Sequence, residues 1–180
     1  MVLGIDKVLE LVKNENLVEN LSERELNNPE GTGLDLSVGI ISKFVKSTSY
    51  LGIDQRSTLN TEIIATLEKD GNRQIILSPQ EYILVTTNEV INMPNSLVGI
   101  IRPRGTLFRS GIALYTGQVN PGYDGNLTFG MHNCSPFDFT FELGSRIAHI
   151  LFLEINGKSV RYRGQWKGGR ISAPIMEKQI

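Results

Sequence analysis

Arg102, Arg104 and Arg109 stand within one stretch, 99–133, reading GIIRPRGTLFRSGIALYTGQVNPGYDGNLTFGMHN. Two arginines on a short Gly/Thr turn can fork around phosphate oxygens bidentately. The tight Asn-Pro-Gly turn that follows, 120–125, sets backbone amides and carbonyls where they can read the edge of a flat ligand. Each half alone is also the ordinary makeup of a solvated loop or a hairpin end. Two apolar runs flank them, so both turns must be positioned by strands on either side.

Composition narrows the chemistry. At 180 residues, 40% hydrophobic and 21% charged, the chain is one ordinary globular domain. Its net charge of -1 argues against sequence-independent nucleic-acid binding, which needs a basic face. No run approaches the roughly 20 apolar residues of a membrane helix. Asp6 and Lys7 fall where a signal peptide would build its apolar core, so the expected location is cytoplasmic. Cys134, His132 and His149 are the only cysteine and histidines, too few for a Cys/His zinc site or the paired-cysteine motif of zinc nucleobase deaminases. Neither a P-loop nor a dinucleotide glycine fingerprint is present. The two histidines read as structural, and Cys134 as a small inert apolar residue.

The positioning elements follow from periodicity. Ile5, Val8, Leu9, Leu11 and Val12 recur at helical spacing, and a second helical pattern covers 17–26 before Asn27, Asn28, Pro29 and Gly31 break it. From Leu34 onward short β-prone runs take over: 34–41, 63–67, 74–77, 82–87, 97–102, 112–115, 126–132, 138–143 and 146–155. Asp70-Gly71 between apolar runs signals a hairpin. Phe137, Phe139, Phe141 and Leu143 alternate with polar residues as a half-buried strand should. The expected architecture is mainly β, a barrel or sandwich behind a helical N-terminus at about 4–26, forming one domain over 1–155. A basic, glycine-rich segment, 156–180, is expected to stay mobile until something orders it.

In this order and spacing, the motifs resemble the dUTPase and dCTP deaminase superfamily, and its deaminase and archaeal dUTPase branch most closely. The matching pieces are Gly33 to Gly39, Pro79 to Tyr82, Met93-Pro94, Arg104-x-x-Leu107-x-Arg109-x-Gly111, Val119 to Thr128, and Tyr162 to Gly169. The resemblance implies a distorted β-barrel or jelly roll assembled as a homotrimer with sites between subunits. Members hydrolyse dUTP to dUMP and pyrophosphate, deaminate dCTP without zinc, or do both. It further implies that Arg104, Gly105, Thr106 and Arg109 hold the triphosphate, and that Val119, Asn120 and Tyr123 hold base and sugar, Tyr123 stacking on the deoxyribose. Tyr162, Arg163, Gln165, Trp166 and Lys167 would close as a lid. Mg²⁺ would arrive bound through the triphosphate, with no direct protein ligand. Asp35 would sit near the site or support it.

The departures fall on the chemistry. Asn120 stands where the family has the aspartate that deprotonates the attacking water, and Gly130 where deaminases have a proton-carrying glutamate. Gly105 replaces a serine. General base catalysis is worth roughly 10² to 10⁴ in rate. Asp124 and Glu142 are the candidates to stand in as base. The leading expectation is therefore slow dUTP hydrolysis. Its alternatives are dCTP deamination, disfavoured by Gly130, and a nucleotide binder without catalysis.

Overall fold

In the computed structural model, which describes residues 1–179, the apolar period at the N-terminus becomes helix α1 (Ile5–Glu15), with Val8 turned fully inward. Its end is fixed by Asn16 at φ 53, a left-handed conformation that asparagine tolerates better than most residues. Asn20 takes a second positive φ, so the helix expected over 17–26 does not form as one piece. Instead Leu17 and Val18 are buried, and β1 (Val18–Glu19) is followed by α2 (Glu23–Asn27), with the Ser22 hydroxyl accepting from the Glu25 amide.

The chain continues through β2 (Leu34–Phe44), β3 (Tyr50–Leu51), β4 (Gln55–Ser57), β5 (Thr61–Thr66), α3 (Leu67–Asp70), β6 (Gln74–Leu77) and β7 (Tyr82–Asn92). After them come β8 (Leu97–Pro103), α4 (Gly105–Arg109), β9 (Ile112–Tyr115), β10 (Gln118–Val119), β11 (Asp124–Asn133), β12 (Phe139–Glu142), β13 (Arg146–Glu154) and β14 (Glu177–Lys178). Nine strands make one curled antiparallel sheet, a half-barrel in the order β10-β8-β13-β2-β7-β11-β9, with β1 and β5 attached to β7 and β2. The architecture is mainly β with a short helical N-terminus, as the periodicity implies.

Burial explains the order. Leu34, Leu36, Val38 and Ile41 of β2, Ile83 and Val85 of β7, Met131 of β11, and Ile147, Ile150 and Phe152 of β13 are buried in one hydrophobic cluster. Each such side chain removed from water contributes about 1.5–3 kcal/mol. Strand β7 outruns the apolar run 82–87 because its polar residues are satisfied inside. Thr87 donates to the Glu89 carbonyl at 2.8 Å, and the Glu89 carboxylate accepts from the Ser37 amide and hydroxyl at 2.8 and 2.7 Å.

Two local expectations are corrected. Asp70-Gly71 is not a hairpin: the Thr66 hydroxyl caps α3, after which β6 leaves to pair with β12 while β5 pairs with β2. Phe137 lies outside β12 and is largely exposed, since pairing with β6 begins only at Phe139.

Candidate nucleotide-binding cleft

The Pro-Gly hairpin is held at both ends. Strand β10 pairs Val119 with Gly99, and the Tyr123 amide donates to the Asn120 carbonyl at 3.1 Å, closing the turn. Met93 clamps it from beneath, its amide donating to the Tyr123 carbonyl and its carbonyl accepting from Gly122. Asn120 is half-buried, and its side-chain oxygen accepts from the Gln118 amide at 2.7 Å. That leaves the Asn120 NH₂ as a neutral donor beside the turn.

Tyr123 lines the cleft from a largely buried position. Its ring is 8% exposed, the Tyr162 ring covers it at 5.6 Å, and its hydroxyl donates to the Asn126 carbonyl at 2.5 Å. Burial, with the neighbouring Tyr162, pushes this hydroxyl up to about 12. It therefore stays a neutral donor at physiological pH.

Segment 156–179, expected to be mobile, is laid down along the hairpin. The Tyr162 amide donates to the Pro121 carbonyl, the Gly168 amide to the Asp124 carbonyl at 2.7 Å, and the Lys167 ammonium pairs with the Asp124 carboxylate at 2.8 Å. The contact is close enough to require glycine at 125: its φ is +128, and a Cβ there would lie 2.3 Å from the Gly169 nitrogen. Further along, Ala173 is fully buried and exchanges hydrogen bonds with Thr58, and β14 pairs with β4.

Between hairpin, tail and the outer face of the sheet lies a cleft of about 510 Å³. Val119, Asn120 and Tyr123 form one wall, Phe44, Leu84 and Thr128 the floor, and Tyr162, Trp166 and Arg170 the cover. Its size and mostly apolar walls suit one small flat ligand. Apart from Arg170 its polar equipment is neutral: the amides of Gln118, Asn120 and Asn126, the hydroxyls of Thr58, Thr128 and Ser172, the two tyrosines and the Trp166 indole. Among the described residues that line it, Arg170 is the one cation, and there is no aspartate, glutamate or histidine. Nothing in its lining takes up a proton at neutral pH.

Position 130 explains part of that. Gly130 lies opposite Leu84 and Tyr115 in the sheet, so a side chain there would share the outer face with both. The Tyr82 hydroxyl occupies the space instead: a Cβ on residue 130 would lie 1.8 Å from it. Tyr82 is held by stacking on Phe44 at 5.7 Å and Tyr115 at 5.8 Å. Desolvation, with Tyr115 nearby, raises its hydroxyl above the ordinary tyrosine value, so it too is neutral.

The arginine turn lies elsewhere. It forms the short helix α4, and neither Arg104 and Arg109 nor Gly105 and Thr106 line the cleft of their own chain. Arg104 reaches the buried Asp35 carboxylate, which also receives Arg146 at 2.8 Å and the His149 Nδ1 at 2.8 Å. Burial alone would raise the Asp35 carboxyl, but the His149 hydrogen bond and the Arg104 and Arg146 charges outweigh it and hold it below the ordinary value. Arg109 folds back on its own helix, over the Phe108 ring at 4.9 Å and onto the Gly105 carbonyl.

The candidate stand-in bases stand outside the cleft of their own chain. Asp124 is paired with Lys167, and Glu142 accepts from Gln74 across the β12–β6 pair; neither lines the cleft. Of the expected lid, Tyr162 and Trp166 line the cleft, whereas Arg163 is exposed and Gln165 bonds to the Lys178 carbonyl. Cys134 is exposed rather than packed, 3.3 Å from the His132 Nδ1. Sequence reading missed Phe44, Thr58 and Arg170 as cleft residues and the role of Tyr82 beside Gly130. Tyr82 belongs to the Pro79 to Tyr82 motif and Arg170 to the basic tail, but nothing in the sequence signals that Phe44 or Thr58 reaches the cleft. No group of three or more metal-ligating side chains occurs among the described residues.

A family model described as dCTP deaminase-like matches residues 2–155. The chain is 31% identical over 158 residues to a dCTP deaminase of Pyrococcus furiosus, covering 87% of this chain and 88% of that one. It is 29% identical over 160 residues to a dCTP deaminase of Thermococcus kodakarensis, covering 88% and 90%. The solved 2′-deoxycytidine 5′-triphosphate deaminase of Agrobacterium tumefaciens superposes with a TM-score of 0.63 at 16% identity, over 84% of this chain. This chain spans 47% of that structure's length. A mutant dUTPase from phage phi11 of S. aureus, solved with a structural Mg(II) ion, superposes with a TM-score of 0.50 at 16% identity, over 81% of this chain and 94% of that one. At such identities these two structures show the fold alone.

Proposed function

The chain belongs to the dCTP deaminase-like family, and from that membership and the chemistry of the cleft we infer that it binds a pyrimidine deoxyribonucleoside triphosphate, dCTP first, and turns it over slowly. The relatives named dCTP deaminase move dCTP ahead of dUTP as the ligand. The observation that carries the second half is the cleft's lack of any carboxylate or imidazole. Deamination needs a proton delivered to the leaving ammonia and taken from water, and without a positioned acid or base the rate falls by roughly 10² to 10⁴. The Asn120 amide orients a base or a water by hydrogen bonds and accepts no proton.

Hydrolysis of dUTP to dUMP and pyrophosphate is the second reading, and Gly130 favours it. A missing side chain there deprives a deaminase of its proton carrier and leaves a hydrolase untouched. Phosphoryl chemistry rests mostly on positioning and charge. The neutral oxygens of the cleft suit a Mg²⁺ that enters on the phosphates rather than one caged by protein carboxylates. Bound so, Mg²⁺ would supply charge neutralisation at the phosphates.

Because α4 stands away from the cleft of its own chain, the reading includes a homotrimer in which a neighbour's Arg104 and Arg109 meet the ligand's phosphates. Calorimetric titration with dCTP and dUTP, followed by chromatography of the products, tests the function. Saturable dCTP binding, with dUTP and ammonia formed slowly or not at all, supports the reading. Formation of dUMP from dUTP moves the second reading ahead, and no binding of either nucleotide overturns both.

A further inference from the structure

Arg170, the cation in the cleft lining, is not free. Its Nη1 meets the Glu177 Oε2 at 2.7 Å, while Arg56 Nε meets the other oxygen, Oε1, at 3.4 Å. Glu177 and Arg56 are opposite partners in the β14–β4 register, so the pairing of two short strands brings the carboxylate to both guanidiniums. The Arg56 guanidinium lies over the Trp166 ring, 4.8 Å from its centroid, and Trp166 is part of the cleft's cover. One Arg56 nitrogen, Nη2, is buried with no hydrogen-bond partner among the described residues. The two oxygens of a carboxylate thus bridge two guanidiniums and leave a buried donor unmet, an unfavourable arrangement.

A phosphate fits this pair better. It bridges two guanidiniums as the carboxylate does, and its third oxygen can reach the remaining donor. We propose that Arg56 and Arg170 form a polyphosphate-binding site at the edge of the cleft, within one chain, and that Glu177 occupies it as an internal anion until a ligand's phosphates displace it. The site rests on the nucleotide reading above and adds a grip from the same chain that carries the hairpin. Displacement loosens the β14–β4 pairing, so the end of the tail is a competitor for the ligand it covers.

Calorimetric titration of the full chain with inorganic tripolyphosphate, dCTP and deoxycytidine tests it, with Glu177→Gln and Arg170→Gln beside the natural protein. Removing the internal anion should tighten tripolyphosphate and dCTP roughly three- to tenfold, the range of a partly exposed ion pair, and leave deoxycytidine unchanged. Arg170→Gln should weaken tripolyphosphate by a similar factor. Should Glu177→Gln leave tripolyphosphate binding unchanged or weaken it, Glu177 is a strap only and the site is overturned. Thermal unfolding of both variants, expected within a few degrees of the natural protein, guards against a collapsed tail. Should that unfolding show the tail lost, charge reversal by Arg170→Glu in a folded chain decides, since the site requires it to weaken tripolyphosphate binding more than Arg170→Gln does, and an affinity equal to that of the natural protein overturns it. Deoxycytidine binding without tripolyphosphate binding removes this site and spares the nucleotide reading. Tripolyphosphate binding without deoxycytidine binding does the reverse.

Discussion

A Cβ built on Gly130 would lie 1.8 Å from the Tyr82 hydroxyl, so Gly130→Glu by itself drives a side chain into the Phe44–Tyr82–Tyr115 stack. Overpacking of this kind costs about 1–3 kcal/mol. Gly130→Glu alone should lower the melting temperature and release no more ammonia from dCTP than the natural protein. Paired with Tyr82→Gly it should regain the stability, and it should raise the rate by up to the roughly 10² to 10⁴ that an acid–base group contributes. Ammonia release and thermal unfolding of the single and double variants check both halves, and equal rates in the two would remove the interlock. Asp35 gives a second expectation at this scale. Its carboxyl sits below its ordinary value of 3.8 in the folded chain, so its contribution is fully present above that value and is lost as pH falls through the lower, folded one. Asp35→Asn, which strips a buried anion from Arg104, Arg146 and His149, should cost on the order of 3 kcal/mol near neutral pH. The loss relative to the natural protein should shrink in urea melts carried out at progressively more acidic pH.

Among the elements, those with a long apolar period were legible and those made by distant pairing were not. Helix α1 and strands β8, β11 and β13 follow from the spacing of their own residues. Strands β1 and β14 are two residues long and exist because a partner far away in sequence, β7 or β4, accepts them, while β3 and β4 make a short local hairpin. The same division runs through the site. The hairpin around Asn120 and the arginine turn announce themselves by residue type, whereas the Tyr82 hydroxyl over Gly130 and the Asp35 partner of Arg104 come from strands 48 and 69 residues away. Glycine-rich composition implies a mobile tail, whereas the fully buried Ala173 seats its far part beyond the Tyr162, Lys167 and Gly168 contacts. Ala173→Arg should unseat the tail while sparing the β sheet. Trp166 is the sole tryptophan, so its emission should shift to the red and proteolysis should begin within 156–179 while the melting temperature stays within a few degrees. Unchanged emission would show that the tail is held by something other than Ala173.

At the scale of the whole molecule, the cleft and helix α4 lie apart in one chain, and a homotrimer is the arrangement proposed to join them. Sedimentation should give a particle about three times the 20.0 kDa chain. Arg109→Gln, which touches nothing in its own cleft, should weaken dCTP binding severalfold in that particle. A monomer that binds dCTP as tightly as the proposal expects would remove the shared site and leave Arg170 and Arg56 to hold the phosphates alone. In this reading the assembly bears on affinity rather than rate, because the neighbour's contribution is two arginines, which stay charged and take up no proton. Equilibrium dialysis against dCTP, with the bound nucleotide recovered and identified by chromatography, therefore tests the account most directly. One nucleotide per chain, recovered chiefly as dCTP after many minutes, is the predicted result. Absence of bound nucleotide, or its complete recovery as dUTP or dUMP within seconds, would contradict it.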